Sequence, residues 1–163
     1  MISYRISKYN PQYRDSDGAY KKNEWTSICD IGKIFPDGIL NENEYYETEN
    51  KYVNTFREII EFLNIDVLYI RNFEKHKNFS RTSLYKKYRI LSVDEACVFL
   101  TLCLRENCWG RLKAKREKQF CAYVGYDYYL HIDTVGNFCA ISDIATKNNL
   151  FCEMFCDGVY KAI

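Results

Sequence analysis

Polar and apolar positions alternate from Ser3 to Lys8 and stop at Asn10-Pro11, which predicts a first strand closed by a turn. Asp15-Ser16-Asp17-Gly18 and Pro36-Asp37-Gly38 read as further turns. Between them, Ser27-Ile28-Cys29-Asp30 carries a capping signal for a short helix that ends near Gly32 to Phe35.

The clearest helical period runs from Glu42 to about Leu63. Tyr45, Tyr52, Phe56, Ile59, Ile60 and Leu63 recur in three- and four-residue steps, and Asn41 with Glu44 resembles a capping box. Glu47, Lys51, Asn54, Glu58 and Glu61 fall on the opposite face, so the helix packs by one side. Carboxylate pairs such as Glu42/Glu44 and Glu47/Glu49 read as its solvated face and as favourable charge near its N-terminus, rather than as general acid and base. Val67-Leu68-Tyr69-Ile70 predicts a short buried strand, and the basic stretch Phe73 to Tyr88 a loop or weak edge. A second helix is expected from Val93 to about Trp109. Ser92 and Glu95 form its capping box, and Gly110 its stop. Its apolar residues nearly surround it, so it should lie deeper than the first.

Residues 119–134 are rich in tyrosine and β-branched residues and predict one or two strands, with Gly125 as bulge or turn. Asp133 to Asn137 reads as a turn. Phe138 to Lys147 reads as a short helix closed by Asn148-Asn149, with a final strand over Leu150 to Phe155. One helix through to Cys156 is the alternative, and Asn-Asn as a stop signal favours the first. The expected fold class is α+β: a single mixed β-sheet packed with two main helices plus one or two short helices, in one domain over residues 1–163. No glycine-rich loop follows a strand, which removes support for a nucleotide-binding α/β fold.

Composition narrows the picture. Two prolines and seven glycines argue against long disordered linkers. The N-terminus has no leader-like apolar run and the chain has no membrane-length one, so a bacterial type of cytoplasm is the expected compartment. Eight cysteines are then expected to be free thiols rather than disulfides. Fifteen tyrosines suit either a tyrosine-lined core edge or a recognition surface.

The net charge of +1 hides a polarity. Residues 71–118 hold 13 Lys/Arg against 5 Asp/Glu, and the rest of the chain is acidic. Lys75, Lys77, Arg81, Lys86, Lys87 and Arg89 form a basic patch, interleaved with tyrosine in the run Leu84 to Arg89. Such a patch could track single-stranded nucleic acid. Solvated loops flanking a buried helix are the stronger reading, because the chain as a whole is near neutral.

Candidate chemistry is thin. His76 lies among cations. His131 could pair with Cys121 or Cys139, with Asp133 orienting it, but neither cysteine has a nucleophile signature, and structural thiols are the better reading. Cys103/Cys108 and Cys152/Cys156 lack zinc spacing, so no metal and no cofactor is expected. The aspartates of residues 15–17 do not continue into a calcium loop.

The block Tyr-Arg-Ile-Ser-Lys-Tyr-Asn-Pro, Asp-Ser-Asp-Gly-Ala-Tyr and Glu-Trp-Thr-Ser-x-x-Asp-Ile-Gly, from Tyr4 to Gly32, resembles a family of small uncharacterised bacterial cytosolic proteins. The C-terminal Asn-Leu-Phe-Cys-Glu-Met-Phe resembles the end strand of some immunity proteins that neutralise polymorphic toxins. These resemblances imply a small binding module with a toxin-like protein partner, and they bring no catalytic residues. The expectation is therefore a non-enzymatic protein-binding module with Tyr13, Tyr20, Trp25, Tyr126 and Tyr128 as aromatic anchors. The alternatives are a nucleic-acid-associated protein using the basic 71–118 region, and a Cys/His-dependent hydrolase.

Overall fold

The computed structural model describes residues 1–77, 85–114, 119–135, 138–156 and 158–162. Arg81 of the expected basic patch lies outside them. The strands are β1 (Ile2–Ser7), β2 (Ile34–Phe35), β3 (Gly38–Ile39), β4 (Val67–Lys75), β5 (Ile90–Ser92), β6 (Cys108–Ala114), β7 (Phe120–Val124), β8 (Leu130–Thr134), β9 (Phe151–Cys156) and β10 (Val159–Ala162). The α-helices are α1 (Glu42–Phe62), α2 (Val93–Leu104) and α3 (Phe138–Lys147), and the short helix expected after Ser27 is a 3-10 turn, Ile28–Asp30, with its capping box in place. No helix among the described residues is long and apolar enough to cross a membrane.

Eight strands form one sheet in the order β10-β9-β1-β8-β7-β6-β4-β5, and β2-β3 make a separate small hairpin. The α+β class is correct, but the mixed sheet is not: every strand pairing described is antiparallel. Neighbours joined by short loops can pair only in that sense, as β7 and β8 do. The first strand lies inside the sheet, between β8 and β9.

Strand alternation sends one set of side chains toward the helices. Tyr4, Ile6, Leu68, Ile70, Leu112, Phe120, Ala122, Leu130 and Ile132 join the buried faces of α1, α2 and α3 in one core. In α1, Tyr45, Tyr52, Phe56, Ile59 and Ile60 are fully buried, as the period predicts. Each such large apolar side chain contributes about 1.5–3 kcal/mol by leaving water. The Asn41 side chain accepts the Glu44 amide and starts the helix. Glu49 departs from the expected solvated face. It is buried, and Arg105 forks onto it with two bonds of 2.7 Å.

Two expectations fail along the middle of the chain. The second helix stops at Leu104 rather than near Trp109, because Glu106 takes a left-handed φ of 58° and Cys108 begins β6. Gly110 is no helix stop but a strand interior position. A Cβ there would lie 3.0 Å from the Phe99 ring, so only glycine lets α2 pack this close. The strand at Val67 runs on to Lys75, with a bulge where Asn72 has φ 51°, and so absorbs the start of the expected loop. The C-terminal end follows the favoured reading: α3, then Asn148-Asn149, then β9. A further strand, β10, pairs with β9.

Candidate functional site

Among the described residues, α1, α2 and α3 all pack on the first face of the sheet and none on the second. Alternation places Arg5 of β1, Trp109, Arg111 and Lys113 of β6, Tyr123 of β7 and His131 of β8 there. Tyr160 of β10 reaches onto the same face, where its hydroxyl meets His131 Nδ1 at 3.2 Å. The rings form a belt. Trp109 meets Tyr123 edge-on at 6.4 Å, Tyr123 stacks on His131 at 4.8 Å and 12°, and His131 meets Tyr160 at 5.9 Å. Guanidinium groups lie over these rings. Arg111 is 4.6 Å from the Tyr123 centroid, and Arg5 is 4.3 Å from Tyr160 and 4.9 Å from Tyr129. Cations over aromatic faces gain most where water is partly excluded.

One end of this face is roofed by residues of the N-terminal block. Arg14 reaches Glu153 of β9 with bonds of 2.7 and 2.9 Å, while Arg5 reaches the same carboxylate from β1 at 3.0 Å twice. Glu153 is fully buried between them. Arg14 also donates to the Tyr129 hydroxyl and the Gly18 carbonyl. The block is thus fixed by a charged clamp as well as by packing. A second network pins its other end: Lys8 Nζ lies 4.2 Å from the Tyr9 and Trp25 rings and bonds Glu24, which also accepts from the Tyr20 hydroxyl.

The belt runs into a cleft of about 770 Å³ lined by Trp109, Tyr123, Gly125 and His131 together with Glu74, Lys75, His76 and Glu106. Burial, with the Arg5 cation adding to it, pushes His131 down to about 4, so the imidazole is neutral at neutral pH. Gly125 permits the close approach of this ring, since a Cβ there would sit 2.8 Å from His131 Nε2.

The expected aromatic anchors separate. Tyr126 is 93% exposed at the cleft, and Tyr13 is exposed with Lys22 Nζ 3.8 Å from its ring. Trp25 and Tyr128 are core residues, 5.1 Å apart edge to face, and offer a partner no surface. Tyr20 is held by Glu24. In the basic patch, Lys75 and Lys77 are exposed at the end of β4, and Lys86 and Lys87 flank the exposed Tyr88. Arg89 pairs with Glu95 at 2.8 Å. The fold carries this patch to the belt, for the Arg71 guanidinium lies 4.9 Å from the Tyr88 ring.

The Cys/His arrangement is not assembled. Cys121 sits opposite Asp133, but His131 is committed to Tyr123 and Tyr160, and burial raises the Cys121 thiol. Cys139 is exposed on α3 and has no bond to His131. Cys103 and Cys108 face each other at 3.9 Å, buried, with Cys103 held well above its ordinary range by burial. No group of three or more metal-binding side chains occurs among the described residues. Sequence reasoning missed Arg5, Trp109, Tyr123 and Tyr160, and placed Arg111 only within the basic 71–118 region. The alternation in Cys108–Ala114 was the signal for Trp109 and Arg111, and it was hidden by carrying the second helix to about Trp109 with Gly110 as its stop. No protein-family model, curated protein or solved structure matches this chain.

Proposed function

We propose that the chain is a non-enzymatic binding protein whose recognition surface is the helix-free sheet face, and that its partner is a protein. The observation that carries this reading is the belt of Trp109, Tyr123, His131 and Tyr160 with Arg5 and Arg111 laid over it. Tryptophan, tyrosine and arginine are the side chains that dominate binding energy at protein interfaces, because they bury large area for few lost rotamers. The belt is pre-ordered by its own stacking, so little entropy remains to be lost on association. A toxin neutralised by the protein is the partner implied by the C-terminal sequence resemblance.

The test is affinity capture from the source cells with the native protein and with Trp109→Ala. A partner retained by the native protein and lost by the variant supports the reading. A partner held equally by both moves the interface elsewhere, and no captured protein counts against a protein partner. The nucleic-acid reading rests on the exposed Lys86, Lys87 and Tyr88, with Arg71 and Lys87 both over the Tyr88 ring. Filter binding at increasing salt tests it, because phosphate contacts weaken steeply with salt.

A further inference from the structure

We propose that Arg111, with Lys113 beside it and Arg71 opposite it, is a carboxylate-recognition subsite for an acidic segment of the protein partner; this rests on the protein-binding reading above. The register places Arg71 directly across from Arg111 on the neighbouring strand, and Lys113 two residues further along the same face. The other arginines show how this chain usually treats a guanidinium. Arg5 and Arg14 fork onto Glu153, Arg105 onto Glu49, Arg89 onto Glu95 and Arg57 onto Asp94. Arg111 has no carboxylate among the described residues. Its Nε is buried and has no hydrogen-bond partner among the described residues. Among the described residues it lies against rings, 4.6 Å from Tyr123 and 5.9 Å from Trp109. A half-buried guanidinium with an unanswered N–H is a group waiting for an acceptor, and its planar fork fits a carboxylate.

The surroundings favour a protein carboxylate over nucleic acid. Bases need an open ring face to stack on, and His131 and Arg111 between them occupy Tyr123. Asp133, two strands away in line with Cys121 and Lys113, is engaged by the Ser3 hydroxyl at 2.6 Å. What the site presents is Arg111 with Lys113 beside it on the same face, suited to one or two acidic side chains rather than to a phosphate backbone.

The test is a nuclear magnetic resonance titration of the whole chain with a capped four-glutamate peptide, with a capped four-glutamine peptide as control and a ten-base oligothymidine as competitor class. The expected result is saturable movement of the Arg111 Nε–H resonance and of the Arg71 and Lys113 amides with the glutamate peptide alone. Raised salt should weaken it. Arg111→Met should weaken binding about tenfold, and Arg111→Lys should fail to restore it because the charge is kept but the fork is lost. Lys113→Met should weaken it by a smaller factor, and it carries the test should the Arg111 variants not fold. Equal response to both peptides, or native affinity in a folded Arg111→Met protein, overturns the subsite. Tighter binding of the oligothymidine, with movement of the Tyr123 ring signals, overturns it in favour of nucleic acid. If native protein and Arg111→Met capture the same cellular partner equally well, the subsite falls and the protein-binding reading stands.

Discussion

Arg5 and Glu153 face each other on adjacent strands, joined by two hydrogen bonds of 3.0 Å, and Arg14 closes on the same carboxylate from the opposite side. One buried anion therefore ties the first strand, the penultimate strand and the N-terminal loop together. Its two cations leave a surplus positive charge at the edge of the helix-free face.

Removing that anion should be costly. Glu153→Gln leaves two guanidinium groups packed against a neutral amide, and breaking a buried pair from one side typically costs about 3–5 kcal/mol. Arg14→Met should cost less, since Arg5 still answers the carboxylate. Urea unfolding monitored by tryptophan fluorescence measures both. An equal, small effect from the two substitutions would show that the clamp contributes little.

The depressed His131 pKa makes a signed prediction. Its folded value is about 4, against an ordinary value of 6.5. The unfolded chain thus takes up the proton first, so this histidine stabilises the fold fully above pH 6.5, and the contribution is lost as pH falls through 4. The whole shift corresponds to at most about 3 kcal/mol. His131→Phe keeps a ring against Tyr123 and should lose less stability than the native protein between pH 7 and pH 4.5. Proton resonances of the imidazole that titrate near 6.5 would refute the assignment.

Gly125→Ala should disturb the belt without straining the backbone, because Gly125 has φ −92°, open to any residue. The added Cβ would meet His131 Nε2 at 2.8 Å and push the ring off Tyr123 and Tyr160. The expected cost is about 1–3 kcal/mol, as for other overpacking changes. Thermal unfolding reads the loss. Imidazole and Tyr160 chemical shifts show whether the ring has moved.

The thiols should divide into two classes under alkylation of the native protein. Cys29 and Cys139 are exposed and should react first. Cys97, Cys103, Cys108, Cys121 and Cys152 are buried, and burial raises Cys152 to about 12, so these should react only on unfolding. Mass spectrometry of timed samples makes the assignment. Rapid labelling of Cys121 would revive the Cys/His hydrolase reading.

Much of the fold was legible in the chain itself. The three- and four-step period of Tyr45 to Ile60, the caps at Asn41 and Ser92, and the Asn148-Asn149 stop are local signals, and each element formed where its signal lay. The exit from α2 was not legible. Between Cys103 and Trp109 no glycine or proline marks a stop, and the left-handed backbone at Glu106 and the close approach of Gly110 to Phe99 belong to the fold. The same limit applies to Glu49, whose helical position gives no hint that Arg105 covers it.

The sequence by itself determined where the helices begin, the turns that frame the strands, and the surplus of tyrosine and arginine, because each depends on neighbours within one or two turns of chain. The tertiary structure alone decided which of those side chains meet. Arg5, Arg14 and Glu153 are more than a hundred residues apart at their widest, and Trp109, Tyr123, His131 and Tyr160 come from four strands. Strand order and register brought them to one face, and register is set by burial of the opposite face, a property of the whole sheet rather than of any segment.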